Sequence, residues 1–251
     1  MITVILNGYK RPHTLREQYD AIKKQTVDDV TIMLWANSVG DHHDEYPAEV
    51  VESCESTMSN GNYGVWGRFA HALNAKTKYV CIIDDDTIPG SKWLENCLVT
   101  METHRGPLST RGAIMNQGKD MLYPRPDSYT PVGWCNPNET PTRVDMLCHS
   151  WFLEKNWLRA FWAEMPDDIP MNFGEDMHVS YSIKKHFGLN SYVPPHPKDD
   201  LEMWGSMPET AIEYGEDAAA ISWNNEANMG MGRYWNFIRK NGYKIIADEQ
   251  Q

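Results

Sequence analysis

Residues 79–90, YVCIIDDDTIPG, place three carboxylates directly after an apolar run. The run reads as a buried strand, and side chains alternate across a strand. Asp84 and Asp86 therefore leave on one face and Asp85 on the other. In an open α/β sheet the carboxyl end of a strand opens into the ligand crevice. Three carboxylates gathered there repel one another and are costly without a cation. Mg2+ or Mn2+ suits oxygen ligands and typically bridges carboxylates to a diphosphate. The pairs Asp28-Asp29, Asp167-Asp168 and Asp199-Asp200 follow no apolar strand and read as solvated turns.

A second acidic pair sits in PMNFGEDMHVSYSIKKHFG, residues 170–188. Gly174-Glu175-Asp176 falls at a predicted helix start, where carboxylates interact favourably with the helix N-terminus. Gly188 suits the C′ position that stops this helix. His42-His43, beside Asp41 and Asp44, read as solvated loop. Most buried Trp is core, but Trp134, Trp151, Trp204 and Trp223 fall in the looser half of the chain, where an indole face can also stack on the ring of a bound ligand.

The elements that must position these groups alternate in type. Ile2 to Leu6 is a predicted strand, and Pro12 to Gln25 a helix with Leu15, Tyr19 and Ile22 on one face. Val30 to Trp35 is a second strand. Val65 to Ala75 is a helix, Tyr79 to Ile83 a strand, and Ser91 to Met101 a helix capped by Ser91. This alternation implies a mainly parallel sheet with right-handed crossovers. Further on, Arg111 to Asn116 and Arg143 to Cys148 read as strands, Glu154 to Phe161 and Glu175 to Phe187 as helices, and Arg233 to Arg239 as a closing helix. Residues 117–142 and 194–232 read as mostly irregular, and long loops of this kind usually carry substrate contacts.

The chain has 251 residues, enough for one large core. Its net charge of −12 gives no counterion-release affinity for nucleic acid and disfavours an anionic membrane. No window reaches a membrane span, and the apolar N-terminus lacks the basic flank of a signal peptide. Five widely spaced cysteines with no CxxC pair suggest free thiols and a cytoplasmic protein. No P-loop, GxGxxG or GxSxG is present.

The ordered set of motifs resembles nucleotide-sugar glycosyltransferases of the GT-A fold, in the family-2-like and exostosin-like branch of small single-domain bacterial and viral enzymes. The matching pieces are GYKRP (8–12), LWANS (34–38), an Asn-rich loop leading to Arg68, IIDDDT (82–87) and GED (174–176). The resemblance implies one GT-A-like domain over 1–251: a mixed, mainly parallel sheet flanked by helices, with a nucleotide-sugar half (1–105) and an acceptor half (106–251). It implies a donor set of Arg11 on the diphosphate, Asn37 and Asn62 on the base side, Arg68, Asp84 on ribose or base, and Asp85. Asp86 would be the direct metal ligand with Asp84 beside it. A late histidine, His196, would be the extra ligand, with His178 and His149 as alternatives. Glycosyl transfer requires deprotonation of an acceptor hydroxyl, which implies Asp176 as base and Glu175 as fallback.

The function implied is metal-dependent transfer of a hexosyl group from a nucleoside-diphosphate sugar to a glycan hydroxyl, with Mn2+ or Mg2+. The competing readings are a nucleotidyltransferase, a non-catalytic sugar- or nucleotide-binding module, and a nuclease, which the net charge opposes. Donor base, sugar, acceptor and anomeric outcome are not encoded in any spacing.

Overall fold

The structure is a computed structural model that describes residues 1–38, 40–116, 129–167, 169, 172–207, 209 and 225–249, the side chains of 41–43 and 225–228 excepted. Apolar runs form the centre. Strands β1 (Ile2–Gly8), β2 (Val30–Ala36), β3 (Glu55–Met58), β4 (Tyr79–Ile83) and, later in the chain, β9 (Ser150–Glu154) form one sheet in the order β3-β2-β1-β4-β9. The first four are parallel, and β9 runs antiparallel on β4. Nearly every residue of β1 and β4 is buried, as a sheet covered on both faces requires.

Helix α1 (Leu15–Lys23) lays Leu15 and Ile22 on the core. Helices α2 (Ala48–Ser53), α3 (Gly67–Ala72) and α4 (Trp93–Thr103) complete the first half. The chain leaves β1 towards β2 and later returns to β4 on the other side of β1. The strand order therefore reverses between β1 and β4, and the crevice outside their carboxyl ends is where such sheets bind ligands.

A second, antiparallel sheet has the order β6-β5-β8, from β6 (Tyr129–Gly133), β5 (Arg111–Met115) and β8 (Met146–Cys148). Strand β7 (Thr142–Val144) pairs with β10 (Ser191–Val193). Helices α5 (Leu158–Ala163), α6 (Glu175–Phe187), α7 (Asn225–Lys240) and α8 (Ile246–Glu249) close this half. The expected mixed, mainly parallel sheet with flanking helices is present, around one hydrophobic core.

Departures from expectation have local causes. The predicted strand at 143–148 is two strands broken at Asp145, whose buried carboxylate accepts the backbone N–H of Met115 (2.9 Å) and Ile246 (2.7 Å). Ser91 does not cap α4: its N–H bonds Glu202 (2.8 Å), and Lys92 occupies the N-cap. Strand β3 is a half-exposed polar edge with no hydrophobic signature. Helix α7 starts at Asn225, eight residues earlier than the apolar pattern suggested. Of the predicted loop at 117–142, residues 117–128 lie outside the described residues, as does Trp223, and Tyr129–Gly133 form strand β6 instead, pairing with β5. All five cysteines are free, and among the described residues no helix is long and apolar enough to cross a membrane.

Candidate active site

The loops leaving β1 and β4 meet at the strand-order reversal. Arg11, from the β1 loop, donates to Asp85 (2.7 Å) and lies 3.6 Å from Asp86. The start of α1 holds the acidic loop by its backbone. Thr14 donates to the carbonyl of Asp85 (2.7 Å), and Gln18 to those of Asp84 (2.6 Å) and Thr87 (3.0 Å). With main chain anchored in this way, the carboxylates keep fixed directions.

The antiparallel run of β9 on β4 puts the start of β9 beside the end of β4. His149, just before β9, has φ +67°. Its carbonyl accepts Asp84 N–H (2.9 Å) and the Thr87 hydroxyl (3.1 Å). Its Nδ1 stands 4.0 Å from Asp84 Oδ2 and 3.8 Å from Asp86 Oδ1. Ligand atoms of Asp84, Asp86 and His149 all lie within 4.8 Å of one another. Asp86 Oδ1 is buried with no hydrogen-bond partner. Two carboxylates and an imidazole at this spacing fit one divalent cation. The Trp134 ring packs on the imidazole, centroid to centroid 4.3 Å.

His196 is not part of this cluster. It is fully buried. Its Nδ1 faces the Pro194 carbonyl (2.8 Å), which can only accept, so Nδ1 carries the proton. Its Nε2 accepts the Gly205 N–H (3.3 Å) and lies 3.1 Å from the Thr110 hydroxyl. No lone pair remains for a metal, so the late-histidine expectation is corrected: the histidine beside Asp84 and Asp86 is His149. His178 is likewise a core residue, bonded to Tyr234 and the Phe161 carbonyl (2.5 Å).

Nearby, Gly174 (φ +88°) turns the chain into α6 and presents Glu175 and Asp176 in its first turn. Arg68, on α3, bonds both Asp84 and Glu175, the latter at 2.8 Å. Asp176 Oδ1 is buried with no hydrogen-bond partner. Burial, then the charges of Glu175 and Asp84, push the Asp176 carboxyl well above the usual carboxylate range. Burial also raises Glu175 and Asp84, against the pull of Arg68. Burial and the Asp86 charge push Asp85 up to about 7 despite Arg11. Asp86 alone of the three is lowered: burial opposes this, but His149 and Arg11 outweigh it.

On the other side of the crevice, Asn37 and Asn62 come together. Asn37 Nδ2 donates to Asn62 Oδ1 (2.9 Å), and Asn37 Oδ1 accepts Tyr63 N–H (2.9 Å). Asn62 Nδ2 reaches the Tyr9 hydroxyl (3.2 Å). Asn37 is nearly buried and organises the loop, whereas Asn62 faces solvent. Trp151 and Trp204 are core residues, and Trp134 is half-buried at the crevice.

Sequence reasoning held His149 only as an alternative metal ligand and did not single out Thr14 or Gln18, which anchor the acidic loop. A signal for His149 existed: CHSWFLE sets a histidine directly before an apolar run, the mirror image of acids directly after one.

No family model matches the sequence, and no curated protein matches it. Solved structures do resemble it. Residues 1–349 of Staphylococcus aureus TarS in complex with UDP superpose with a TM-score of 0.55 at 15% identity, over 99% of this chain and 76% of that one. The same protein with UDP-GlcNAc gives 0.51 at 14%, over 99% and 77%. The mannosyltransferase PcManGT of Pyrobaculum calidifontis, in complex with GDP-Man and Mn2+, gives 0.50 at 14%, over 94% and 69%. At such identities the likeness is one of architecture: this chain has the fold of the GT-A-type glycosyltransferases.

Proposed function

We propose that this chain is a glycosyltransferase that moves a hexosyl group from a nucleoside-diphosphate sugar to a hydroxyl of a glycan acceptor, with a divalent cation at Asp84, Asp86 and His149. The observation that carries the reading is the convergence of that cluster with a buried acidic pair, joined through Arg68, at the strand-order reversal. The UDP-, UDP-GlcNAc- and GDP-Man-bound similar structures support a nucleotide-sugar donor, and make Mn2+ the first cation to test.

Residues 1–105 serve the donor, joined at the cation by His149, and the rest of 106–251 serves the acceptor in this reading. A divalent cation, when bound, offsets the charge of the departing diphosphate. Arg11, paired with Asp85, lies on the diphosphate side of the acidic loop in this reading. Asn62 and the Asn37-ordered loop face the base, and Asp85 supports Arg11. Asp176, whose buried Oδ1 has no hydrogen-bond partner, is assigned in this reading to take the proton of the acceptor hydroxyl. Glu175 steadies that arrangement through Arg68. Five free cysteines suit a cytoplasmic location. No observation favours a nucleotidyltransferase or a decayed binding module.

The test is a hydrolysis panel over nucleotide sugars with and without Mn2+, joined to calorimetry of UDP and GDP on wild type and Asp86→Asn. Slow cation-dependent hydrolysis of one donor, and nucleotide binding that requires both Mn2+ and Asp86, is expected. Equal, cation-independent nucleotide affinity in both proteins would refute the proposal.

A further inference from the structure

We infer that Arg68 is a positioning residue that ties the cation side of the crevice to the acceptor side, and that it does not touch the donor. This role rests on the reading of Asp84, Asp86 and His149 as a cation site.

Arg68 is the second residue of α3, and the start of that helix is fixed. A Cβ on the preceding Gly67 would lie 2.8 Å from the Trp35 ring, so helix and sheet are in tight contact there. The Arg68 guanidinium lies over the ring of Trp151, 4.5 Å from its centroid. Its side chain is only 4% exposed. The two terminal nitrogens serve different walls: NH1 bonds Asp84 Oδ1, and NH2 bonds Glu175 Oε1. A planar fork does this, whereas a point charge does not.

The division of oxygens is informative. Asp84 gives Oδ1 to Arg68 and turns Oδ2 towards His149. Glu175 is held by the same guanidinium, while its neighbour Asp176 keeps an oxygen with no partner. One buried cation thus aims one carboxylate at the cation cluster and removes a second from competition at the acceptor. To reach a phosphate or base, Arg68 would have to abandon two buried carboxylates and leave both unpaired, which is strongly unfavourable.

The test titrates Mn2+ alone, without nucleotide, into the full chain as wild type, Arg68→Gln and Arg68→Lys, reading free Mn2+ by electron paramagnetic resonance. UDP and GDP affinities at saturating Mn2+ are measured on the same proteins. Outer-sphere residues that orient metal ligands are typically worth about 10–100-fold in metal affinity. We expect Arg68→Gln to weaken Mn2+ by that factor, Arg68→Lys to recover part of the loss, and nucleotide affinity at saturating Mn2+ to stay within a few-fold. If Arg68→Gln does not fold, Arg68→Lys against wild type carries the comparison. Unchanged Mn2+ affinity in the folded variants, with nucleotide affinity down more than about tenfold, would make Arg68 a donor contact and overturn the inference. Absence of Mn2+ binding by wild type would remove the cation site itself, and this role with it.

Discussion

The two glycines that bracket α6 are an internal experiment on how the acidic pair is placed. Both have left-handed backbone: φ +88° at Gly174 before the helix and +67° at Gly188 after it. They differ in what surrounds them. A Cβ on Gly188 would meet nothing within 4 Å, while one on Gly174 would lie 2.7 Å from the Tyr234 ring. Tyr234 is fully buried, and its hydroxyl is bonded to His178, so the ring cannot swing aside. An alanine in left-handed backbone costs about 1–2 kcal/mol, partly offset by about 0.4–1 kcal/mol from the stiffer unfolded chain. Gly188→Ala should therefore lose about 1 kcal/mol. Gly174→Ala adds an overpacking cost of about 1–3 kcal/mol, for a total of about 2–4 kcal/mol. At this chain length each kcal/mol lowers Tm by about 2–4 °C, so thermal melting separates the two variants. Turnover should separate them further. Relief of the clash shifts Glu175 and Asp176, and a displacement of about 1 Å can cost on the order of 10²-fold. Gly188→Ala should keep wild-type donor hydrolysis and transfer. Equal Tm losses, or Gly174→Ala with undiminished turnover, would refute the claim that Tyr234 sets the position of the acidic pair.

Three further outcomes are expected. His149→Ala should abolish Mn2+ binding measured without nucleotide while the protein stays folded; His196→Ala should lower Tm and leave Mn2+ affinity in the surviving fold unchanged, and the reverse pattern would restore His196 as the ligand. Asp176→Asn should keep donor affinity within a few-fold and lower transfer by on the order of 10²–10⁴, with a smaller loss in Glu175→Gln; near-normal transfer in both would remove the pair from the chemistry. Burial lowers both His178 and His196 to about 4. The folded state therefore binds fewer protons than the unfolded one between pH 4 and 6.5, and stability present above pH 6.5 is lost as pH falls through that window, by about 3 kcal/mol per histidine. The Tm gap between wild type and His178→Gln should accordingly narrow from pH 7 to pH 4.5, and a constant gap would contradict the buried neutral assignment.

Local pattern made some of this architecture legible and long-range pairing made the rest invisible. The apolar run before Asp84 is self-evident because a strand buried on both faces needs it. The Glu175–Phe187 helix carries its own stop at Gly188. The significance of His149 depends on β9 running antiparallel to β4, a pairing that no local period reports. His196 looked available because its sequence neighbours are prolines and polar residues. Its nitrogens are taken by Pro194 nearby and by Gly205 and Thr110 from elsewhere in the fold. The identity of Arg68 was readable, and its direction was not, since Glu175 and Trp151 reach it from distant segments.

The junction at His149 also has a bearing on the order of events in synthesis. A nascent chain released through Thr87 already possesses β1, β2, β3, β4 and the acidic loop, but that loop lacks two of its partners. The His149 carbonyl that fixes Asp84 and Thr87, and the imidazole that faces Asp86, are supplied only when β9 zips onto the exposed edge of β4. Until then Asp86 lacks the imidazole that faces it, beside an open strand edge of the kind that invites pairing with another chain. Docking of β9 closes that edge and completes the cluster in one step. A fragment ending before residue 149 would thus be both cation-poor and association-prone. Supplying the remainder as a second polypeptide would be a direct way to watch the site come into being.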